Sequence, residues 1–238
     1  MEILLFSLLT VVAAFVGTLA GFGISTVMVP VVAMFFPLPA TLLFVGIIHL
    51  FGSIWKILLF RSGIRFKLIA TFATPALLAS ITGAVLVSKS AIGNLQRILG
   101  IFLVAYVAYL FLHPKFRVPK TSLVTALGGT ASGFAAGFFG IGGAIRSAFL
   151  TAYDFPKSVF IATNGVIALI VDLGRVGGYL SSGVVLPSHL FSGLILFIPL
   201  SFAGAELAKL AVGKISQRKF RIVVSLFLLV AGIRLILL

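Results

Sequence analysis

Two glycine-rich stretches, one in each half of the chain, carry the residues best suited to binding chemistry. The second reads GFAAGFFGIGGAIR at 133–146 and holds Gly140, Gly142 and Gly143 within four residues, followed one helical turn later by Arg146. Clustered glycines let a backbone approach a ligand closely. The N–H groups freed at a helix break form a positive dipole end that favours an anion. With Arg146 as a fixed positive charge, this stretch predicts an anion-binding site.

The first stretch, GTLAGFGISTVMVP at 17–30, is the sparser counterpart. It offers Gly23 and the hydroxyl groups of Ser25 and Thr26 in place of a glycine cluster. We therefore expect an asymmetric site built from both stretches. Four further glycines are spaced by four residues, which favours small-residue helix packing over ligand contact. These are Gly17, Gly21, Gly133 and Gly137.

Polar side chains within the apolar segments supply four more candidates, because such groups are costly in a membrane unless they are paired or functional. Asp172 and Arg175 can meet on one helix face, either as a structural ion pair or in proton coupling and substrate contact. Asn164 and His49 suit interhelical hydrogen bonds, with substrate contact or proton transfer as the alternative. We assign Asn164 and Arg175 to substrate binding, and Asp172 and His49 to ion coupling.

The long cationic side chains have a second interpretation. Arg146 either meets the substrate or extends its charged end to a membrane interface, as long basic side chains do. Lys56 lies five residues before Arg61, close to a helix end, and is predicted to reach the interface. Glu206 and Lys209 are predicted to form an interfacial pair.

Catalytic and cofactor motifs are missing from the sequence. It contains no cysteine, no Gly-x-x-x-x-Gly-Lys-Ser/Thr phosphate loop, and no paired carboxylates or metal-ligand spacing. We therefore expect neither an enzyme nor a resident metal or cofactor, and any driving force would be an ion gradient. The scattered acids and histidines are Glu2, Asp154, Asp172, Glu206, His49, His113 and His189.

Composition indicates a helical membrane protein. Of 238 residues, 61% are hydrophobic and 9% are charged, and the mean hydropathy is +1.29. Such a chain lacks the polar surface that a water-soluble fold needs. Its net charge of +14 is explained by basic residues in cytoplasmic loops, so no nucleic-acid partner is expected. The 29 aromatic residues, mostly Phe, suit a lipid-facing surface or a homodimer interface equally well.

Apolar runs and breakers divide the chain into ten segments, five in each half. The expected organisation is a first transmembrane repeat at 1–112, a basic connector at 113–120 and a second repeat at 121–238. In each repeat the first two segments form a glycine-broken pair, crossing or re-entrant, followed by three transmembrane helices. The segments are 3–20, 22–36, 40–60, 66–88, 95–112, 122–139, 141–153, 158–180, 190–211 and 222–238.

The two halves align as an internal duplication. The matched residues are turn and charge markers rather than bulk hydrophobics, which argues against chance similarity. Their separation drifts only from 116 to 124 residues along the chain. The matches are Gly17 and Gly21 with Gly133 and Gly137, Gly23-Ile24 with Gly140-Ile141, Pro39 with Pro156, Gly63 with Gly183, Pro75 with Pro199, and Arg97 with Arg221.

Charge predicts that the halves have opposite orientations. With five segments per half the halves are inverted, and eleven basic residues face one side while only Lys89 and Arg97 face the other. With four segments per half the halves are parallel, and the same basic residues divide six against seven between the two sides. The loop at 61–67 is basic and its counterpart at 181–189 has no Lys or Arg. The positive-inside rule then predicts inverted repeats, with loops 61–67, 113–120 and 214–221 cytoplasmic and both termini outside. The eleven are Arg61, Arg65, Lys67, Lys115, Arg117, Lys120, Lys157, Lys214, Arg218, Lys219 and Arg221.

These halves and motifs resemble the TauE/SafE-type sulfite exporter family of bacterial and archaeal membrane permeases. That family has two related halves, each opened by a pattern close to small-Gly-x-x-x-Gly-x-Gly-Gly-Gly with a downstream Pro. Here the pattern is GTLAGFGIS with Pro30 and Pro39, and GFAAGFFGIGGAIR with Pro156. Ser25, Thr26, Ala144 and Arg146 depart from it.

The resemblance implies a transporter in the cell membrane of a prokaryote. Its substrate would be a small sulfur-containing anion, sulfite or an organosulfonate, moved with coupling to an ion gradient. From the inverted halves and their paired breaks we further expect transport by alternating access. An anion channel and a transporter of another small anion, such as a carboxylate, remain alternatives.

Overall fold

A computed structural model describes residues 2–61, 63–90, 94–112, 118–211 and 217–238. Within these ranges all regular secondary structure is α-helical. The helices are α1 Glu2–Ala20, α2 Ser25–Val32, α3 Leu38–Leu59, α4 Phe66–Lys89, α5 Leu95–Leu112, α6 Ser122–Phe139, α7 Gly143–Thr151, α8 Lys157–Ser181, α9 Ser188–Ala211 and α10 Gln217–Leu237.

The fold is that of a polytopic membrane protein. Among the described residues, six helices are long and apolar enough to cross a bilayer, namely α1, α3, α4, α6, α8 and α9. α5 and α10 contain shorter apolar stretches, Leu95–Tyr109 and Val224–Leu237. The predicted segments are confirmed as helices, with boundaries that differ by a few residues. Part of the predicted connector, residues 113–117, and residues 214–216 of the third basic loop lie outside the described residues.

The second helix of each half is short, because the chain is broken just before it. α2 has 8 residues and α7 has 9, each too short to span a bilayer. α6 ends at Phe139 and is capped by Gly140, whose φ of 73° is in the left-handed region that favours glycine. α1 ends in a turn closed by a 3.1 Å hydrogen bond from the amide of Gly23 to the carbonyl of Gly17.

The helices of the two halves interleave. α1 packs on α9 and α6 packs on α4, so the first helix of each half lies against the fourth helix of the other. α3 packs on α8, and α5 packs on α10. Every half therefore depends on the other half for the burial of its helices.

Small residues set the spacing between α4 and α6. A Cβ built on Gly133 would lie 2.1 Å from the carbonyl oxygen of Ala76, and one on Gly137 would lie 2.1 Å from that of Ser80. Residue numbers rise in the same direction along both helices, from Ala76 to Ser80 and from Gly133 to Gly137, so α4 and α6 run parallel. The packing interpretation of Gly133 and Gly137 is confirmed. It is wrong for Gly21, which forms the turn after α1 with a φ of 72°.

α3 and α8 run antiparallel through the centre of the bundle. At one end of their contact Gly46 lies beside the side chain of Arg175, and at the other Gly165 lies beside Lys56. Residue numbers therefore rise along α3 as they fall along α8. The polar side chains of these two helices consequently meet in the interior.

The distribution of side chains is inverted relative to a water-soluble protein. Arg146 and Arg175 are each 1% exposed, whereas Ile195 on α9 is 82% exposed. Large apolar side chains such as Leu4 and Ile101 also face outward. An apolar exterior around a charged interior is stable in lipid and would be a large association-prone surface in water.

Candidate functional site

The two helix breaks meet at the centre of the chain's fold. Gly143, the first residue of α7, lies so close to the Phe22 carbonyl that a Cβ built on Gly143 would be 1.6 Å from that oxygen. The Gly21 carbonyl accepts hydrogen bonds of 2.6 Å from Ser147 Oγ and 2.6 Å from Asn164 Nδ2. The first break is thus fixed by side chains of the second half.

Arg146 is held at this junction by Asn164. Its Nε donates a hydrogen bond to Asn164 Oδ1, and the same amide group donates from Nδ2 to Gly21. Arg146 is buried, so the interpretation that its charged end reaches a membrane interface is wrong. Its Nη2 is buried without a hydrogen-bond partner among the described residues. A guanidinium nitrogen in that state is a donor available to a ligand.

A second cluster of polar side chains lies further along α8. Arg175 contacts Asp172 Oδ1 through Nε and Nη2, both at 2.8 Å, so the predicted ion pair is confirmed. Arg175 Nη2 also donates to Ser25 Oγ at 2.9 Å, which connects α8 to the start of α2. Its other terminal nitrogen, Nη1, is buried without a partner in the described part of the chain.

His49 completes this second group. Its Nδ1 lies 3.0 Å from Asp172 Oδ1 and 3.0 Å from Arg175 Nη2, and Ser53 Oγ donates to Asp172 Oδ2 at 3.3 Å. We assign the ring proton to Nδ1, because the carboxylate accepts it and the guanidinium cannot. The predicted interhelical hydrogen bonds of Asn164 and His49 are both confirmed.

The free nitrogen of His49 faces the first break. Nε2 is buried without a partner among the described residues. A Cβ built on Gly23 would lie 2.0 Å from it. Glycine at position 23, with a φ of 86°, therefore leaves the room that the imidazole occupies. Across the described residues, no three His, Asp or Glu side chains come close enough to hold a metal ion.

Lys56 is a member of the interior that the sequence did not predict. It is 3% exposed, so its predicted position at the interface is wrong. No carboxylate of the described residues lies within ion-pair distance of it. The signal in the sequence was the spacing of His49, Ser53 and Lys56, which places three polar side chains on one face of α3.

The remaining predicted site residues lie at or beside the breaks. Thr26 Oγ1 donates to the Phe22 carbonyl at 3.2 Å, and Ser132 Oγ donates to the Gly142 carbonyl at 2.9 Å. Gly140 lies against the apolar side chains of Val29 and Leu42. These contacts lie at the two turns, and a role of these residues in substrate binding stays a prediction.

The site as a whole consists of two layers along α8. We call the first the anion layer, comprising Lys56, Arg146 and Asn164, and the second the ion-pair layer, comprising His49, Ser53, Asp172, Arg175 and Ser25. Asn164 and Asp172 are eight residues apart, which on a helix is about 12 Å. Charged side chains so far inside a membrane protein mark substrate and ion pathways.

The bundle and its buried charged centre define a multi-pass membrane protein of the transporter class. The chain belongs to the sulfite exporter TauE/SafE family, whose model matches residues 6–235. Comparison with curated proteins finds no match, and neither does comparison with solved structures. The family is one of membrane transporters, so the protein is not an enzyme, as its sequence predicted.

Proposed function

We propose that the protein is a secondary transporter for a small sulfur-containing anion, sulfite or an organosulfonate. The observation that carries the proposal is a pair of buried guanidinium groups, Arg146 and Arg175, each with one terminal nitrogen that has no partner in the described structure. A buried donor without a partner costs about 1–3 kcal/mol, and more when it is charged. An oxyanion that accepts from such a nitrogen would remove this cost there.

The geometry also supports transport by alternating access. The two breaks touch at Gly143 and Phe22, and the charged groups beside them are closed off from both faces. Burial of this kind supports an occluded site at the junction of two repeats. Rocking of one repeat against the other would open that site to each side of the membrane in turn.

The helix directions support inverted repeats. α3 and α8 hold equivalent places in the two halves and run antiparallel. The first helix of each half also packs against the fourth helix of the other half, α1 on α9 and α6 on α4. A pseudo-two-fold axis in the membrane plane would produce both features. The duplication into residues 1–112 and 121–238, and the division of the chain at 113–120, are part of this proposal.

The ion-pair layer suits a role in coupling. His49 has two ring nitrogens, and the one that carries no proton can take one up. Its Nε2 faces Gly23 at the break while its Nδ1 is held by Asp172. A proton taken up at Nε2 would change the charge of the layer next to the substrate. We therefore propose proton coupling through His49 and Asp172.

The membrane orientation completes the proposal. Loops 61–67, 113–120 and 214–221 face the cytoplasm of a prokaryotic cell, and both termini lie outside. The bilayer covers the exposed apolar side chains, and a homodimer interface on that surface stays a prediction.

The alternatives are a channel and a transporter of carboxylates. A channel filter uses rings of like residues or carbonyl groups along an open path. The charged residues here are instead buried and mutually dissimilar, which favours a transporter. A carboxylate transporter would use the same guanidinium groups, so competition between substrates separates it from the proposal.

The test is uptake of labelled sulfite by the purified protein in liposomes, with and without imposed proton and sodium gradients. Saturable uptake that needs the proton gradient, and that sulfonates inhibit better than carboxylates, supports the proposal. Inhibition by carboxylates alone would identify the alternative substrate class. No flux of sulfite, sulfonate or carboxylate under either gradient would overturn the proposed function.

A further inference from the structure

The two layers of the site differ in their balance of charge. In the ion-pair layer the cation Arg175 is matched by Asp172 at 2.8 Å, and His49 with a single ring proton adds no charge. In the anion layer Lys56 and Arg146 are both buried, and Asn164 is neutral. Asp172 is the one buried acid among the described residues. The interior therefore carries an excess of two positive charges, both in the anion layer.

The two cations of the anion layer act on one another. Both approach the same turn of α8, because a Cβ built on Gly165 would be 3.4 Å from Lys56 Cβ and Arg146 is hydrogen-bonded to the adjacent Asn164, so the two like charges repel. Neither cation has a carboxylate within ion-pair distance in the described part of the chain. Burial of unpaired like charges is costly, so a fold that keeps them needs a counter-charge in its working cycle.

The geometry points to a dianion as the substrate, bound in the anion layer between Lys56 and Arg146, with Lys56 as the residue that selects a second negative charge. This inference rests on the proposed function and narrows its substrate class. A doubly charged oxyanion neutralises both cations, whereas a singly charged one leaves a buried positive charge without a partner. Arg146 supplies the directional donor Nη2, and Lys56 supplies a compact charge.

Position as well as charge favours Lys56 for this role. Its Cβ lies beside Gly165, the neighbour of the Asn164 that holds Arg146. A Cβ on Gly165 would be 3.4 Å from Lys56 Cβ and 3.2 Å from Ile57 Cγ1, so α3 and α8 pack closely at this point. Lys56 therefore lies beside the same turn of α8 as Arg146. This turn is about two helical turns before Asp172.

The experiment compares sulfate with methanesulfonate as ligands of the purified full-length protein. The two are close in size, but replacement of one oxygen by a methyl group leaves methanesulfonate with a single charge. Binding is measured by titration of the thermal melting temperature in detergent and by competition with labelled sulfite in liposomes. The variants are Lys56→Met, which removes the charge and keeps the stem, and Lys56→Arg, which keeps the charge. Lys67→Met, at an exposed position on α4, is the matched control.

The unmodified protein is expected to bind sulfate at least about tenfold more tightly than methanesulfonate. Lys56→Met should weaken sulfate binding by about tenfold or more while changing methanesulfonate binding by less than about threefold. Lys56→Arg should keep the preference for sulfate that Lys56→Met loses, and Lys67→Met should leave that preference unchanged. A sulfate preference kept by Lys56→Arg also shows that the loss in Lys56→Met comes from the missing charge and not from a general packing defect.

Other outcomes would separate this inference from the proposed function. Equal binding of sulfate and methanesulfonate by the unmodified protein, or a Lys56→Met variant that weakens both equally, would overturn the dianion inference while leaving an anion transporter. If neither anion binds and no labelled anion is transported, the proposed function itself fails. If Lys56→Met does not fold, the Lys56→Arg variant and the preference of the unmodified protein still decide the question.

Discussion

Gly143 lies directly against the carbonyl oxygen of Phe22, and this contact joins the helix break of one half to that of the other. A Cβ built on Gly143 would be 1.6 Å from the oxygen, far inside any real contact distance. The oxygen belongs to backbone and cannot move aside as a flexible side chain could. The closeness of the two breaks therefore depends on glycine at this position.

Gly143→Ala is expected to separate the two breaks. The added methyl group must push the Phe22 backbone away, so we expect destabilisation by roughly 1–3 kcal/mol or more. The measurement is the melting temperature in detergent together with sulfite uptake. Gly177→Ala, on α8 with no atom within 4 Å of the added Cβ, is the matched control and should be neutral or slightly stabilising. Full uptake by Gly143→Ala would show that the breaks need not touch.

Arg146→Ala is expected to weaken sulfite uptake strongly while the protein still inserts and folds. The variant removes a buried charged donor, and bonds of charged groups contribute about 1.5–3 kcal/mol. That predicts a loss of apparent sulfite affinity of about tenfold to hundredfold. Uptake kinetics and a size-exclusion profile measure the two effects.

Arg61→Ala is the control for this variant, because Arg61 is exposed and its Nε donates to the nearby Leu58 carbonyl at 3.0 Å. Arg146→Lys should be intermediate, since it keeps the charge and loses the planar fork. Normal transport by Arg146→Ala would place the substrate elsewhere.

Asp172→Asn is expected to destabilise the protein strongly. It removes the partner of Arg175 and leaves that cation buried, which costs about 3–5 kcal/mol. Asp154→Asn should change stability by less than about 0.5 kcal/mol, because Asp154 is 87% exposed and its contact with Lys120 is 3.8 Å long. Melting temperatures in detergent give both values.

A double variant tests the cause of that loss. Asp172→Asn combined with Arg175→Met removes both charges and should recover part of the stability lost by Asp172→Asn alone. A double variant less stable than the single one would show that the pair is not the source of the effect. Proton-driven uptake should be absent in both Asp172→Asn and the double variant, because both lack the proposed coupling carboxylate.

The orientation of the two halves can be tested by labelling single cysteines, because the chain has none of its own. Lys67→Cys and Thr121→Cys should react only with a reagent that reaches the cytoplasm. Ser188→Cys, at the start of α9, should react with an impermeant reagent from outside. The three positions are exposed. Labelling of residues 67 and 188 from the same side would contradict inverted repeats.

The locations of the helices and their breaks could be predicted from the sequence, because both depend on local properties. A run of apolar residues fixes the length of a membrane helix, and glycine at a positive φ ends one, as at Gly140. The third segment was predicted at 40–60 and α3 runs Leu38–Leu59. The pairing of Asp172 with Arg175 followed from their spacing on one helix.

Only the tertiary structure decided which polar groups meet across helices. The Nδ1 of His49 contacts a carboxylate 123 residues away, and Asn164 joins Arg146 to Gly21. Lys56 was expected at the interface and is buried. Each result depends on how a helix is rotated about its axis against its neighbours, and that rotation is set by packing of the whole bundle. The sequence alone determined a membrane transporter with two paired breaks, and the packing of α3 against α8 determined its charged interior.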